Sequence, residues 1–402
     1  MKKLLLSLAV STALITPHFA QDDFKPLEGK RYITVDSDAS KQIKKQFGKD
    51  AAIIDDSYGV SLIHIEANKI TELSEFMHRN FRRCGGFIVH EEIEEGIQTL
   101  RTNGQKRWAN AHQFMDYQID QEDIVKPMIQ EVEQENIANT IVDLSKFHNR
   151  YYKSQSGVDA AYSIRDSWVE LGKNREDFKV EVVKHSGFPQ PSIIATLEGS
   201  EHSDEIVIIG GHLDSINGQW GAAKRRAPGA DDNASGIATI SEIIRVAMKH
   251  NYKPKRTIKF MGYAAEEVGL VGSKHIANDY KRNNKKVVGV IQLDMTNYQG
   301  DETDILFMDD YTNKAQNEFL GSLIDQYIGV SWGYSRCGYG CSDHASWHRA
   351  GYPASMPHEA TMDGGNPHIH STRDTISQSG SHAKHAAKFA KLGLAFMAEL
   401  GK

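Results

Sequence analysis

The stretch EIVIIGGHLDS, at residues 205–215, runs from an almost wholly apolar segment into a turn that carries His212 and Asp214. A second stretch of the same build, VVGVIQLDM at residues 287–295, leads to Asp294. Strands covered by helices on both faces are nearly continuous in apolar residues. Open α/β sheets place their binding crevices at the carboxyl ends of such strands. These stretches therefore predict a parallel sheet with polar side chains gathered at one edge.

Helical and strand periodicities alternate on both sides of these stretches. The predicted helices lie at 160–171, 237–250, 273–280, 317–328 and 383–400, with a further helical region at 123–152. The predicted strands lie at 180–183, 192–197, 206–209, 257–263 and 287–293. This alternation predicts the α/β fold class, with a mainly parallel, mixed central β-sheet flanked by helices.

The composition is that of an ordinary globular protein. Of the 402 residues, 40% are hydrophobic and 25% are charged, which excludes disorder, collagen and coiled coil. The length leaves room for one domain of about 250–300 residues and a smaller unit. The 47 basic and 53 acidic residues give a net charge of −6, so we expect no nucleic-acid or membrane partner. Since no heptad or repeat is visible, we expect a monomer.

The N-terminus has the features of a secretory signal peptide. Lys2 and Lys3 precede an apolar run at residues 4–15, and the small residue Ala20 follows. The run is shorter than the roughly 20 residues that a membrane span needs. We therefore expect residues 1–20 to direct secretion to the extracellular space, with a short membrane anchor as the alternative.

Export brings the chain into an oxidising compartment, so its cysteines are disulfide candidates. Cys337 and Cys341 flank a Gly-Tyr-Gly loop that is flexible enough to let them meet, and we expect them to pair. Cys84 is left over. It is either a free thiol or part of a segment that the mature protein lacks.

Five short segments near strand ends carry residues that can bind metal or transfer protons. Each one alone has a simpler interpretation as a surface turn, a helix cap or a polar loop. Together they supply histidines and carboxylates, a ligand set that suits zinc. Two metals bridged by a carboxylate form a known hydrolytic arrangement. The segments are GGHLDS (210–215), GADDNASG (229–236), AAEEVG (264–269), QLDMT (292–296) and HIHSTRD (368–374).

Glu266 and Glu267 are the most informative pair. Two adjacent carboxylates after a buried strand repel each other unless a cation or a proton lies between them. Because neighbouring side chains diverge, one of them can bind a metal while the other faces the substrate as a base.

The motifs GGHLDS, APGADDNASG, YAAEEVGLVGS, QLDMTNY, CGYGCSDHASWH and NPHIHSTRDT together resemble the M28 family of zinc aminopeptidases, in particular the secreted bacterial leucyl aminopeptidases. They follow the family's order and spacing over about residues 120–402. The resemblance implies an enzyme that hydrolyses the N-terminal residue from peptides.

The resemblance also implies two zinc ions per chain, bridged by Asp232. Asp232 is expected to bridge, rather than Asp231, because the family places this ligand directly before Asn-Ala-Ser-Gly. The bond from Asp232 to Asn233 is expected to be cis. The remaining ligands are His212 and Asp294 for one zinc, and Glu267 and His370 for the other.

Further roles follow from the same resemblance. Glu266 would be the general acid/base, Asp214 the partner of His212, and Tyr339 a donor to the tetrahedral intermediate. A preference for leucine-like residues would rest on an apolar pocket, although the segment 357–370 is less aromatic here than in the relatives. The pocket residues would be Met295, Met308, Met356 and Ile369.

The family pattern also accounts for the first quarter of the chain. Residues 21–106 resemble a propeptide that assists folding or restrains activity and is then removed by a processing protease. Lys106 and Arg107 form a candidate cleavage site, with the boundary between about residues 100 and 120. The catalytic domain would then span residues 107–402, and Cys84 would be absent from it.

Three alternatives remain at this point. The first is a carboxypeptidase or a single-zinc glutaminyl cyclase on the same fold. The second is a non-catalytic binding module on the same fold, although such modules usually lose metal ligands. The third is a zinc site on a helix. His344 and His348 have the spacing of a helix-borne zinc site, but no Glu follows the first His, so the base is missing.

Overall fold

The computed structural model of the chain describes residues 29–57, 59–81, 83, 85–104 and 117–402. They form an N-terminal unit, residues 29–104, and a main domain, residues 117–402. The expected signal peptide, Cys84 and the Lys106-Arg107 pair lie outside the described residues.

The main domain alternates helices and strands along the chain. Its helices are α4 (Glu122–Gln130), α5 (Gln134–Lys146), α6 (Gln155–Gly172), α7 (Gly236–Lys249), α8 (Val271–Arg282), α9 (Lys314–Leu323), α10 (His344–Ala350) and α11 (Ala386–Leu400). Its strands are β5 (Phe178–Val183), β6 (Ser192–Leu197), β7 (His202–His212), β8 (Arg256–Tyr263), β9 (Lys286–Gln292), β10 (Ile305–Met308), β11 (Trp332–Ser335), β12 (Ala354–Ser355) and β13 (Pro357–His358).

The central sheet has six strands in the order β12-β9-β7-β8-β6-β5. Strands β12, β9, β7 and β8 are parallel, whereas β6 pairs antiparallel with both β8 and the edge strand β5. A second sheet of three strands has the order β11-β10-β13. The predicted class, α/β with a mainly parallel, mixed sheet flanked by helices, is confirmed.

The largest core lies where α7 and α11 cover the sheet. Ile243 of α7 is fully buried there, and a Cβ at Gly393 of α11 would lie 2.3 Å from its Cδ1. Glycine at this position therefore lets the two helices pack closely. That packing supports α7, whose N-terminus carries the Asp231-Asp232 segment.

Most predicted elements are present within a few residues of their expected ends. The strand at 192–197 coincides with β6, and the helix at 317–328 appears as α9 followed by a wider turn, Ile324–Ile328. Strands β10 to β13 were not predicted. They have only two or four residues each, too few for an alternating pattern.

The N-terminal unit is an antiparallel sheet with helices packed on it. Its strands, in the order β2-β3-β1-β4, are β1 (Lys30–Asp36), β2 (Ala51–Ser57), β3 (Val60–Glu66) and β4 (Phe87–His90). Its helices are α1 (Ser37–Phe47), α2 (Ile70–Phe81) and α3 (Ile93–Gly104). The unit has its own apolar cluster, which includes Ile33, Ile43 and Leu73.

Within the described part of the chain, no helix combines the length and the apolar character that crossing a membrane requires.

Candidate metal centre

The carboxyl ends of three neighbouring parallel strands carry most of the predicted site. His212 is the last residue of β7, Glu266 and Glu267 follow β8, and Asp294 follows β9. Each of these side chains is almost completely buried. The residues therefore meet in a crevice at the carboxyl edge of the sheet, as open α/β folds arrange their sites.

His212 forms the first cluster with two carboxylates. Its Nε2 lies 3.1 Å from Oδ1 of Asp232 and 3.3 Å from Oδ1 of Asp294. One nitrogen and two oxygens thus converge on a common point, and together they can hold a metal ion.

His370 forms the second cluster. Its Nε2 lies 2.8 Å from Oδ2 of Asp232 and 3.4 Å from Oε2 of Glu267. The two oxygens of Asp232 therefore face different histidines, which is the geometry of a bridging carboxylate. The peptide bond from Asp232 to Asn233 is cis, as expected.

Asp231 has a different environment from Asp232. Its Oδ1 accepts a hydrogen bond from the N–H of Asn297, at 3.2 Å, and its Oδ2 accepts one from Nδ2 of Asn366, at 3.1 Å. Both carboxylate oxygens of Asp231 therefore form hydrogen bonds that join neighbouring loops. Of the two adjacent aspartates, Asp232 is the one that lies between the clusters.

The residues fit a pair of divalent cations. Several buried polar atoms have no hydrogen-bond partner among the described residues, although such atoms are costly to bury unpaired. They are Nε2 of His212, Oδ1 of Asp294, Oε1 of Glu267 and both carboxylate oxygens of Glu266. Imidazole nitrogens and carboxylate oxygens are ligands that zinc accepts.

The pKa shifts agree with a site that attracts positive charge. Burial acts to raise the pKa of Asp232, but the neighbouring imidazoles of His212 and His370 outweigh it and hold this pKa well below its usual range. Burial acts to lower the pKa of His370, but Glu267 and Asp232 outweigh it and raise this pKa to about 10. The lowered pKa of Asp232 keeps this carboxylate ionised, so it stabilises cations next to it.

Glu266 behaves differently from the other carboxylates. Burial, together with repulsion from Glu267, Asp343 and Asp294, raises the pKa of Glu266 well above its ordinary value. A buried carboxyl group with a raised pKa can both accept and donate a proton near neutral pH.

Asp214 positions both glutamates through the backbone. Its Oδ1 and Oδ2 accept hydrogen bonds from the N–H groups of Glu266 and Glu267, at 3.0 and 3.1 Å. The expected contact with His212 is longer, since Oδ1 of Asp214 lies 3.5 Å from Nδ1, and the backbone oxygen of Asp214 lies closer, at 3.1 Å. Asp214 therefore links the His212 turn to the Glu266-Glu267 turn.

Two supporting residues were not predicted. Asp374 accepts hydrogen bonds from the N–H groups of Asp231 and Asp232, both at 3.1 Å, and it belongs to the NPHIHSTRDT motif that was already singled out. Arg150 is buried and donates from Nε to the carbonyl oxygen of Leu213 at 2.9 Å. Its Nη1 and Nη2 donate to the carbonyl oxygens of residues 228 and 229, at 2.6 and 2.8 Å.

Tyr339 lies in the loop between Cys337 and Cys341, whose sulfur atoms are at bonding distance with the Cα atoms 6.2 Å apart. The tyrosine is buried and packs in an apolar cluster with Met308 and Met356. The guanidinium carbon of Arg83, from the N-terminal unit, lies 5.1 Å from its ring centre.

The other predicted residues have varied surroundings. Met295 is buried, and its N–H lies 3.3 Å from Oδ1 of Asn233, whereas Ile369 is half-buried beside His370. His344 and His348 lie on α10, and neither belongs to the two metal-capable clusters.

The N-terminal unit contributes a residue that was not predicted. His78 of α2 is buried with its Nε2 2.9 Å from Oε2 of Glu267, and it joins His370 and Glu267 in the second cluster. It begins the HRNFRR stretch at residues 78–83, which has no recognisable spacing for metal binding.

Comparisons with known proteins identify the family of the chain. The family model described as Peptidase family M28 matches residues 192–397. Leucine aminopeptidase 1 of Arthroderma gypseum is 40% identical over 294 residues, which cover 70% of this chain and 77% of that protein. This relative is fungal, whereas the sequence motifs suggested a bacterial type.

Solved structures from Legionella pneumophila resemble the chain over most of its length. LapB has a TM-score of 0.76 and 30% identity, covering 93% of this chain and 100% of its own. The LapA aminopeptidase has a TM-score of 0.77 and 28% identity, covering 93% of this chain and 99% of its own. The shared fold therefore includes residues of the N-terminal unit as well as the main domain.

Proposed function

The chain belongs to peptidase family M28 and is a metallo-aminopeptidase, and we propose that it is a secreted, di-zinc enzyme that removes apolar N-terminal residues, leucine foremost, from peptides. The single observation that carries the di-zinc proposal is the position of Asp232. Its two carboxylate oxygens face two different histidines, at 3.1 and 2.8 Å.

Five residues would hold the metals. Asp232 would bind both ions, His212 and Asp294 would complete one site, and Glu267 and His370 the other. When bound, two zinc ions lower the pKa of a water molecule and polarise the carbonyl group of the first peptide bond.

Glu266 transfers the proton. Its carboxylate takes a proton from the attacking water and delivers it to the nitrogen of the leaving amine, so that water and peptide give an acid and an amine. The hydrogen bonds from the N–H groups of Glu266 and Glu267 to Asp214 hold this carboxylate beside the metal ligands. Tyr339 would donate its phenol O–H to the oxygen on which negative charge develops.

In the proposed enzyme, carboxylates of the crevice and the zinc ions would recognise a free N-terminus. Four buried carboxylates (Asp232, Glu266, Glu267 and Asp294) meet two histidines at the carboxyl edge of the sheet. A substrate whose first residue carries a free amino group adds positive charge to this crevice, whereas an acetylated substrate does not.

Two observations support the proposed preference for leucine. Met308 and Met356 form an apolar cluster beside Tyr339, and Met295 and Ile369 flank the metal ligands along the chain. Leucine aminopeptidases are also among the relatives by sequence.

Secretion and processing are supported by the sequence. Residues 1–20 have the build of a signal peptide, and we propose that a protease removes residues 21–106 as a propeptide, cutting near Lys106 and Arg107. The mature enzyme would be a monomer containing residues 107–402.

Hydrolysis of amino-acid p-nitroanilides by the processed protein tests the proposal. We expect cleavage of free-amine substrates, fastest for leucine, loss of activity with a chelator and recovery with zinc. The N-acetylated forms of the same substrates are the matched control and should remain intact. A folded protein that binds two zinc ions and cleaves none of these substrates would contradict the proposal and favour a carboxypeptidase, a cyclase or a binding module.

A further inference from the structure

Helix α2 of the N-terminal unit lies across the metal centre. Ser74 donates a hydrogen bond from Oγ to the backbone oxygen of Glu267, at 2.7 Å. Glu75 is buried, and its Oε1 accepts hydrogen bonds from the N–H groups of Gly221 and Ala222, at 3.1 and 3.0 Å. The hydrogen bonds of these two adjacent residues thus fix α2 against the main domain, next to the Glu267-His370 cluster.

His78 lies one turn further along α2 and points into that cluster. Its side chain is fully buried, and its ring centre lies 4.3 Å from the ring centre of His370. Its Nε2 is 2.9 Å from Oε2 of Glu267. The ring therefore fills space directly beside the second metal position.

The hydrogen bond at the other ring nitrogen assigns the tautomer of His78. Nδ1 lies 2.7 Å from the backbone oxygen of Ser74, and a carbonyl oxygen can only accept. Nδ1 consequently carries the hydrogen, and in the neutral ring the lone pair of Nε2 points toward Glu267. A metal ion that contacts both atoms would join this lone pair to the carboxylate oxygen, and His78, Glu267 and His370 together offer three ligand atoms close enough for one ion.

The same arrangement is typical of metal-bound histidines. In protein metal sites the ring nitrogen that does not bind the metal usually donates to a carbonyl or carboxylate, which fixes the ring orientation. His78 has this partner within its own helix, four residues earlier. The helix therefore presents a preoriented ligand to the second cluster.

We propose that His78 is a metal ligand in the unprocessed chain. Its Nε2 takes the coordination position of the Glu267-His370 metal that water and substrate use in the processed enzyme. The N-terminal unit thereby keeps the enzyme latent through the metal itself, and its removal opens the position. This inference rests on the proposed di-zinc function.

The architecture allows the unit to leave as a whole. Its apolar cluster, with Ile33, Ile43 and Leu73, is separate from the core formed by α7, α11 and the main sheet. Removal therefore breaks the contacts of α2 and the small apolar cluster in which Ile88 meets Leu270 and Ala345, without opening the core beneath α7 and α11.

The test counts histidine ligands by X-ray absorption at the zinc edge. Unprocessed wild-type protein, beginning at residue 21, is compared with His78→Ala and with His78→Phe, which keeps a ring but no ligand atom. Arg79→Ala is the matched control, because Arg79 also contacts the main domain, 4.0 Å from the ring centre of Trp220, but not the metal centre. Zinc release to a chelator is measured in parallel.

We expect one additional imidazole in unprocessed wild-type protein and in Arg79→Ala. It should be absent from both His78 variants and from processed wild-type protein. Zinc release from the Glu267-His370 position should be at least about tenfold faster in both His78 variants than in wild type. An equal number of imidazoles in unprocessed wild type and His78→Phe would overturn the proposal.

The processed wild-type protein separates this inference from the proposed function. If it binds two zinc ions and cleaves leucine p-nitroanilide while the unprocessed chain lacks the additional imidazole, then only the role of His78 is wrong. If it binds no zinc, then the di-zinc function is wrong as well.

Discussion

The side chain of Asp374 fixes the backbone of Asp232, because Oδ2 of Asp374 accepts a 3.1 Å hydrogen bond from the N–H of Asp232. Its other oxygen binds the N–H of Asp231, so one carboxyl group orients the whole turn. The proposed bridging ligand therefore depends on a residue that belongs to neither of the two metal-capable clusters.

Replacement of Asp374 by alanine should weaken metal binding. It leaves two buried N–H groups unpaired, at about 1–3 kcal/mol each, and frees the turn that carries Asp232. We expect the zinc affinity to fall by about 10- to 100-fold, as for other residues that orient metal ligands. Chelator competition measures this, with Asp363→Ala on the exposed part of the same loop as control. An unchanged affinity in a folded Asp374→Ala protein would contradict this role.

Asp232→Asn and Asp294→Asn should differ in how many metals they affect. Asp232 faces both histidines, so its loss of charge should weaken both zinc sites. Asp294 faces His212 alone, so its replacement should weaken one site and leave the other filled. Zinc content after dialysis against a weak chelator distinguishes them. Loss of the same amount of zinc from Asp232→Asn and Asp294→Asn would argue against Asp232 as the bridging ligand.

Glu266→Gln should lose activity while keeping its metals. The amide cannot take the proton from water, so kcat should fall by about 10²- to 10⁴-fold, with little change in KM. Glu267→Gln is the contrasting variant, because it should lose zinc from the second site. Kinetics and zinc analysis on the same preparations provide the measurement. Near-wild-type kcat in a two-zinc Glu266→Gln protein would disprove the proton-transfer role.

Asp36→Asn should stabilise the N-terminal unit above neutral pH. Burial raises the pKa of Asp36 to about 7, against the opposing effect of Arg83. Between the unfolded pKa of 3.8 and about 7, the native state keeps a proton that the unfolded state has lost, so stability falls as pH rises through this window. Allowing for partial exposure to water, the full penalty above pH 7 is on the order of 2 kcal/mol.

Hydrogen exchange of β1 and β3 in the unprocessed chain measures this effect. The variant should exchange more slowly than wild type at pH 8, with the difference vanishing near pH 4. Asp55→Asn, an exposed position on β2, is the control and should match wild type at both pH values. A pH-independent difference for Asp36→Asn would show that titration of Asp36 is not its cause.

Local sequence predicts the main domain well because its strands and ligands are adjacent in the chain. The apolar run 205–211 ends on His212, and the run 287–293 ends on Asp294, so a strand and its ligand are visible in one stretch. Hydrophobic burial selects the strand, and the parallel sheet then brings the polar ends together.

The parts that were missed depend on contacts between distant residues. Arg150 lies 63 positions from its partner Leu213 in the sequence. His78 lies 189 positions from its partner Glu267. Their neighbours in the chain carry no metal-binding spacing. The fold of the N-terminal unit was missed for another reason, since its strands have mixed burial; β2, for example, is mostly exposed.

The buried guanidinium of Arg150 gives the two ligand loops a common mechanical anchor. It donates to the carbonyl oxygen of Leu213, just after His212, and to those of residues 228 and 229, just before Asp231, so it ties the two loops together. A change in the spacing between His212 and Asp232 therefore requires these hydrogen bonds to be broken or rearranged.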